Sequence, residues 1–177
     1  MTDARVLRSR QGLRDVLVAL LHEKPLDQIT VREIAGRAGV GYTTFFRHYA
    51  NKEALLDDLA AEEIARMTAL TAPIYDAVDA RAACLALCAY IWEHRTLWAA
   101  LLAGAPGVVR DEMVRQGRAE AAARPGGSGL PTELAVALAA AVIVELMGWW
   151  LRQAEPWPAA RVAEVLDRTV ISPELGG

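Results

Sequence analysis

Apolar residues recur along this chain at helical intervals and nowhere in convincing alternation, which predicts an all-α protein. Leu13, Val16, Leu17, Leu20 and Leu21 share one face of a first helix over about residues 5–23. Lys24-Pro25 stops it, because a residue before proline is pushed out of helical geometry. In "TVRE", Thr30 suits the cap of a second helix whose Glu33 returns the bond, and Gly39 ends it where a left-handed residue is cheapest. A short third helix covers about residues 42–49. Asn51 caps a fourth that carries Leu55, Leu56, Leu59, Ile64 and Met67 on one stripe, and Pro73 is expected to break it. Further helices follow over about residues 77–92, 96–102 and 108–123. "RPGGSGLP", 124–131, reads as a loop. Thr132 is the expected cap of the next helix, "EPWP" closes it, and a last helix runs over about 159–170.

Composition sharpens this picture in three places. Of 177 residues, 54% are hydrophobic, enough for a packed core. The basic N-terminus is not followed by an apolar signal core, and two cysteines are too few for a disulfide framework, so a cytoplasmic protein is expected. The apolar stretch 134–151 approaches the length of a membrane span, but Glu145 interrupts it and alanine dominates it; a buried or interface helix is the reading, with no membrane partner. The net charge of −3 hides an asymmetry: residues 1–55 hold nine Lys/Arg against six Asp/Glu, whereas the remainder holds ten against sixteen. A basic head on an acidic body suits an anionic partner.

Helices two and three, joined by a glycine-containing turn, fit the helix-turn-helix plan, whose second helix lies in the DNA major groove. On the third, Phe45 and Tyr49 lie four apart and face inward with Val40, leaving Tyr42, Thr43, Arg47 and parts of Thr44 and Phe46 for the outer face. The run over residues 29–56, "ITVREIAGRAGVGYTTFFRHYANKEALL", closely resembles the N-terminal DNA-binding domain of tetracycline-repressor (TetR) family regulators. The T-V-R-E-I-A opening, the A-G-V turn, the aromatic pair, R-H-Y and N-K-E-A-L-L all arrive in register.

The resemblance implies a three-helix helix-turn-helix DNA-binding domain over residues 1–52 and a helical effector-binding and dimerisation domain over 53–177. It places Thr30 and Arg32 at positions that touch phosphate or a base, Tyr42, Thr43 and Thr44 at reading positions, and His48 and Lys52 at phosphate-binding positions. Each has a structural alternative: Thr30 as a cap, His48 as a satisfied neighbour, Lys52 as a solvated charge. Three departures stand out. Gly41 replaces a serine-like cap, Thr43 a smaller residue, and Phe46 the usual tyrosine, whose hydroxyl contact to phosphate is worth about 0.5–1.5 kcal/mol.

A family of this kind acts as a homodimer on palindromic double-stranded DNA, and Ala139, Val142, Ile143 and Leu146 are the candidate dimer stripe, paired with the 108–123 helix. The expected effector is a small hydrophobic or aromatic molecule. Met67, Leu70, Tyr75, Cys84, Cys88, Trp92, Trp98, Met113, Trp149 and Trp150 are candidates to line its site, although such residues also make ordinary core. Cys84 and Cys88 lack partners for a zinc set and read as small buried residues, so neither metal nor cofactor is expected. No phosphate-binding, dinucleotide, nucleophile-elbow or zinc-protease motif is present, and the acidic pairs Asp57-Asp58, Glu62-Glu63 and Asp111-Glu112 read as solvated surface; enzymatic turnover is not expected. The resulting expectation is a bacterial, ligand-responsive transcriptional repressor. The alternative is an oligomeric protein-interaction module with a degenerate helix-turn-helix and no DNA binding.

Overall fold

The computed structural model describes residues 2–76, 79–123 and 130–171. Among these residues there is no strand. The helices are α1 (Thr2–Glu23), α2 (Val31–Arg37), α3 (Tyr42–His48), α4 (Lys52–Asp76), α5 (Ala80–Glu93), α6 (Arg95–Gly104), α7 (Pro106–Ala123), α8 (Thr132–Leu151) and α9 (Ala159–Leu166). A 3-10 turn at Leu26–Gln28 precedes α2, and a π-helical turn at Asp167–Ile171 extends α9.

The head is built by local signals that act as expected. Thr30 Oγ1 accepts the Glu33 amide at 3.2 Å, and Asn51 Oδ1 accepts the Ala54 amide at 2.7 Å, so α2 and α4 are both capped by side chains. Gly39 turns the chain with φ 65, a left-handed value that costs a glycine little. Leu13, Leu17 and Leu20 of α1 are fully buried together with Ile29, Ile34, Phe45, Leu55 and Leu56, which makes one apolar centre for α1 to α3 and the start of α4. The continuous α4 then carries the chain across the expected 52/53 boundary into the body, where it lies against α5 and α7.

Two expectations are corrected. Pro73 does not break α4, which runs on to Asp76. A proline removes one ladder bond, and here only the last turn lies beyond it. Thr132 does not cap α8; Pro131 holds that position, its carbonyl accepting the Leu134 and Ala135 amides at 2.9 and 3.0 Å, and no side chain caps the helix. Of the loop 124–131, residues 124–129 lie outside the described residues.

The body closes around α8, which packs on α6, α7 and α9, while α5 lies along α9. The Trp150 indole N–H donates to the Trp157 carbonyl at 2.8 Å, Trp92 stacks on Trp150 with centroids 5.1 Å apart, and Arg161 sits 3.8 Å over the Trp157 ring. By length and hydropathy α8 suffices to cross a membrane; here its inner side is taken up by the neighbouring helices, and Leu134, Leu138, Glu145 and Trp149 are exposed.

Head and body also meet where α6 lies on α1. A Cβ added at Gly104 would stand 2.8 Å from Leu21 Cδ2, so the junction is closed to the van der Waals limit. Gly104→Val is therefore expected to overpack it and lower unfolding free energy by about 1–3 kcal/mol. Urea unfolding checks this; unchanged stability would mean the junction is loose.

Candidate nucleic-acid interface

The turn between α2 and α3 is tied by the Val40 amide, which donates to the Ala35 carbonyl at 3.0 Å. Gly41 offers no side-chain cap, but its carbonyl accepts the Thr44 and Phe45 amides at 2.8 and 3.2 Å, so α3 starts firmly without the family's hydroxyl. Phe45 is buried completely. Tyr42, Thr43, Phe46 and Arg47 are exposed, and Thr44 and His48 are half-buried. The inward and outward faces of α3 thus fall where the spacing of the aromatic residues places them.

The inward side ends in a polar knot. Tyr49, just past α3, donates its hydroxyl to Asp58 Oδ2 at 2.6 Å. Arg10 donates to the same hydroxyl at 3.1 Å and pairs with both Asp58 oxygens, and Arg14 adds bonds to Asp58 Oδ2 at 2.8 and 3.1 Å. Arg14 also pairs with Glu62. From there Arg66 bridges Glu62 and the buried Glu63, which accepts the Tyr90 hydroxyl of α5 at 2.9 Å. A hydrogen-bonded chain therefore runs from the end of α3 along α4 to α5. Asp58, Glu62 and Glu63 correct the expectation that the acidic pairs are all solvated: on α4, Asp58 and Glu62 pair with α1, and Glu63 bonds to α5. Burial alone would raise the Asp58 carboxyl, but bonds from Arg10, Tyr49 and Arg14 outweigh it and hold the group below the usual carboxylate range. Burial and the bond to Asp58 push the Tyr49 phenol up, and burial with the bond to Glu63 pushes Tyr90 up to about 12.

The remaining candidate DNA contacts have distinct surroundings. Thr30 is exposed and serves as the α2 cap. Arg32 and Arg47 are exposed and enter none of the ion pairs among the described residues. Lys52 gives its ammonium to the carbonyls of Leu26 and Ile29 at 2.7 Å and of Asp27 at 3.3 Å, so it clasps the turn before α2 to the start of α4. The His48 Nε2 atom is covered and unbonded. Arg47 is the outward cation the family positions do not include; its place on the exposed arc of α3 was the signal for it.

A second feature lies further down α4. An apolar cavity of about 230 Å³ is lined by Ile64, Met67, Thr68 and Thr71 of α4, Leu87 of α5, Met113 and Gly117 of α7, and Val136, Ala139, Ala140 and Ile143 of α8. Met67 and Met113 are the two effector candidates it brings together. Leu70, Trp92 and Trp149 are on the surface, Trp98 and Trp150 are in the core, and the Tyr75 side chain lies outside the described residues. Cys84 and Cys88 are buried, and burial pushes their thiols up to about 11 and about 12, which leaves them inert at neutral pH. Among the described residues no cluster suits a metal ion. The expected dimer stripe divides: Ala139 and Ile143 face the cavity, whereas Val142 and Leu146 line an outer groove with Ala141, Glu145, Val165 and Thr169.

Comparison with known proteins follows the same division of the chain. Residues 13–59 match the family model of bacterial regulatory proteins, tetR family. Over 58 residues, 33% of this chain, it is 40% identical to the tetracycline repressor protein class D of Escherichia coli, and the stretch covers only 27% of that relative. The full fold resembles a TetR transcriptional regulator from Streptococcus agalactiae 2603V, with TM-score 0.68, 20% identity, and coverage of 96% of this chain and 97% of that one. It also resembles Thermus thermophilus FadR, a TetR-family repressor solved with lauroyl-CoA, with TM-score 0.57, 16% identity, and coverage of 95% and 96%.

The knot makes an acid-sensitive prediction. Because the native pKa of Asp58 is depressed, its contribution is full above the unfolded carboxylate range and fades as pH falls through the native value. Asp58→Asn is expected to cost about 2 kcal/mol at neutral pH and to flatten the acid limb of a stability–pH profile. A variant as stable as the parent at pH 7 would sink the assignment.

Proposed function

We propose, from the match of residues 13–59 to the model of bacterial regulatory proteins of the tetR family, that the chain is a ligand-responsive transcriptional repressor of that family that binds a palindromic operator as a homodimer. The observation that carries this reading is the outward arc of α3, where Tyr42, Thr43, Phe46 and Arg47 stand exposed on a helix fixed from behind by Phe45 and Tyr49. Tyr42, Thr43 and Thr44 meet base edges. Arg47, with Arg32 and Thr30 at the start of α2, meets phosphate or a neighbouring base. His48 reaches phosphate once its ring turns Nε2 outward, and Lys52 does so by exchanging one of its carbonyl bonds.

A seven-residue helix reads few bases, so two copies on two half-sites are required for a useful site. The second copy seats on the outer face of α8, with Leu134, Leu138, Val142 and Leu146, continued by Val165 of α9. Helix α7 is less suited than expected, because its exposed positions include Arg110, Asp111, Arg115 and Arg118. In this arrangement residues 1–52 act as the reading head and 53–177 as the effector and dimerisation body, working on chromosomal DNA in the cytoplasm without turnover of the effector.

The effector occupies the cavity between α4, α5, α7 and α8. Its volume, below the ~300–1,000 Å³ of a drug-sized site, and its apolar walls suit a small hydrophobic or aromatic molecule. Because α4 supplies both cavity wall and Asp58, a ligand that prefers one setting of α4 shifts the spacing of the heads.

Binding to the DNA flanking its own gene, measured across a salt series, tests the regulator. Saturable binding to one palindromic fragment is expected, falling by about 10³-fold or more between roughly 50 and 200 mM salt, with Arg47→Ala reducing the salt slope by about one. No DNA binding at any salt from a folded dimer would instead support a protein-interaction module. Leu138→Glu sets like charges across the proposed dimer face, and light scattering is expected to give the single-chain mass of 19.2 kDa in place of twice that value; a variant that stays dimeric moves the interface elsewhere.

A further inference from the structure

We infer that α3 reads the C5 methyl group of a pyrimidine, which in unmodified DNA is thymine, through the paired rings of Tyr42 and Phe46. The inference rests on the regulator reading above and carries it to a particular feature of the operator.

Phe46 is 46% exposed and Tyr42 52%, on a head whose other large apolar side chains are mostly buried. Single exposed rings are ordinary; the bracing of this one is not. Phe46 meets Tyr42 edge-to-face at 5.0 Å and Phe45 edge-to-face at 5.4 Å, and Phe45 is itself fully buried. The outward ring is therefore held from both sides, and little rotamer freedom remains to be lost on contact with DNA.

Its chemistry then selects the target. A phenyl ring has neither donor nor acceptor, so it offers nothing to a phosphate oxygen or to the polar edges of the bases. Among the groups the major groove presents, the C5 methyl is the apolar one. Tyr42 lies one turn before Phe46 on the same arc, and Thr43 and Arg47 flank the pair with a hydroxyl and a cation. The face thus divides its work, with the rings on a methyl group and the polar groups on base edges or phosphate. The missing hydroxyl of Phe46, a loss for phosphate contact, becomes a gain in discrimination.

The full-length protein is first used to enrich duplexes from a random pool. The best duplex is then remade with uracil in place of thymine, one position at a time, and with 5-methylcytosine in place of each cytosine. At one or two positions per half-site, loss of the thymine methyl is expected to lower affinity about three- to fivefold, compounding to about tenfold or more over two half-sites. A gain confined to 5-methylcytosine would assign the same contact to that base. Phe46→Ala is expected to bind thymine and uracil duplexes alike, Phe46→Leu to keep part of the preference, and Arg47→Ala to weaken both duplexes equally. Circular dichroism verifies that each variant is folded, and Phe46→Gln replaces Phe46→Ala if the latter is not. Equal affinity for all the remade duplexes, or a methyl preference undiminished in the Phe46 variants, overturns the inference while leaving the regulator intact. Failure to enrich any sequence overturns the regulator reading itself, and this one with it.

Discussion

The Asp58 carboxylate is where three helices are joined, and the setting of α3 depends on it. It accepts from Arg10 and Arg14 of α1 and from Tyr49 at the end of α3, while belonging to α4. A partly buried charge is tolerable only when its partners replace the lost water, and here several donors converge on two oxygens. Tyr49 is buried beside Phe45, so the hydroxyl that reaches Asp58 also fixes the ring that anchors α3. A tilt of α4 cannot leave α3 where it was.

The same helix changes character along its length. Its first half carries Asp58, Glu62 and Glu63 in ion pairs and hydrogen bonds; its second half presents Ile64, Met67, Thr68 and Thr71 to an apolar cavity. Glu63 and Ile64 are neighbours, so the polar chain begins almost where the cavity ends. Interactions with strict geometry are thus placed beside interactions that depend mainly on volume. In the proposed repressor, occupying the cavity is a question of space, whereas the response of the head is a question of hydrogen-bond direction.

Much of the head was legible because its determinants are local. The Thr30 and Asn51 caps, the Gly39 turn and the inward pair Phe45/Tyr49 each involve residues within a few positions of one another, where periodicity and capping rules apply directly. The knot was not legible: Arg10 and Arg14 meet Asp58 across 48 and 44 residues, and nothing in the spacing of Asp57-Asp58 says that one of the two turns toward α1. The body shows the same limit. Composition pointed to methionines and aromatics as a ligand site, but the cavity is formed mostly by small and branched residues such as Ala139, Ala140, Val136 and Ile143, because space opens where side chains are short. Trp92, Trp149, Trp150 and Trp157 went instead to closing α5, α8 and α9 together.

That placement gives the protein an optical asymmetry. All five tryptophans, Trp92, Trp98, Trp149, Trp150 and Trp157, belong to the body, whereas the aromatic residues of the head are Tyr42, Phe45, Phe46 and Tyr49. Trp98 and Trp150 are shielded from water, whereas Trp92 and Trp149 are partly open to it. Ultraviolet emission excited at the red edge therefore comes from the body alone, from a mixture of dry and wet indoles, while the head stays dark at those wavelengths. Red-edge emission of the unlabelled chain is in this way a report on the body that α3 does not contribute to.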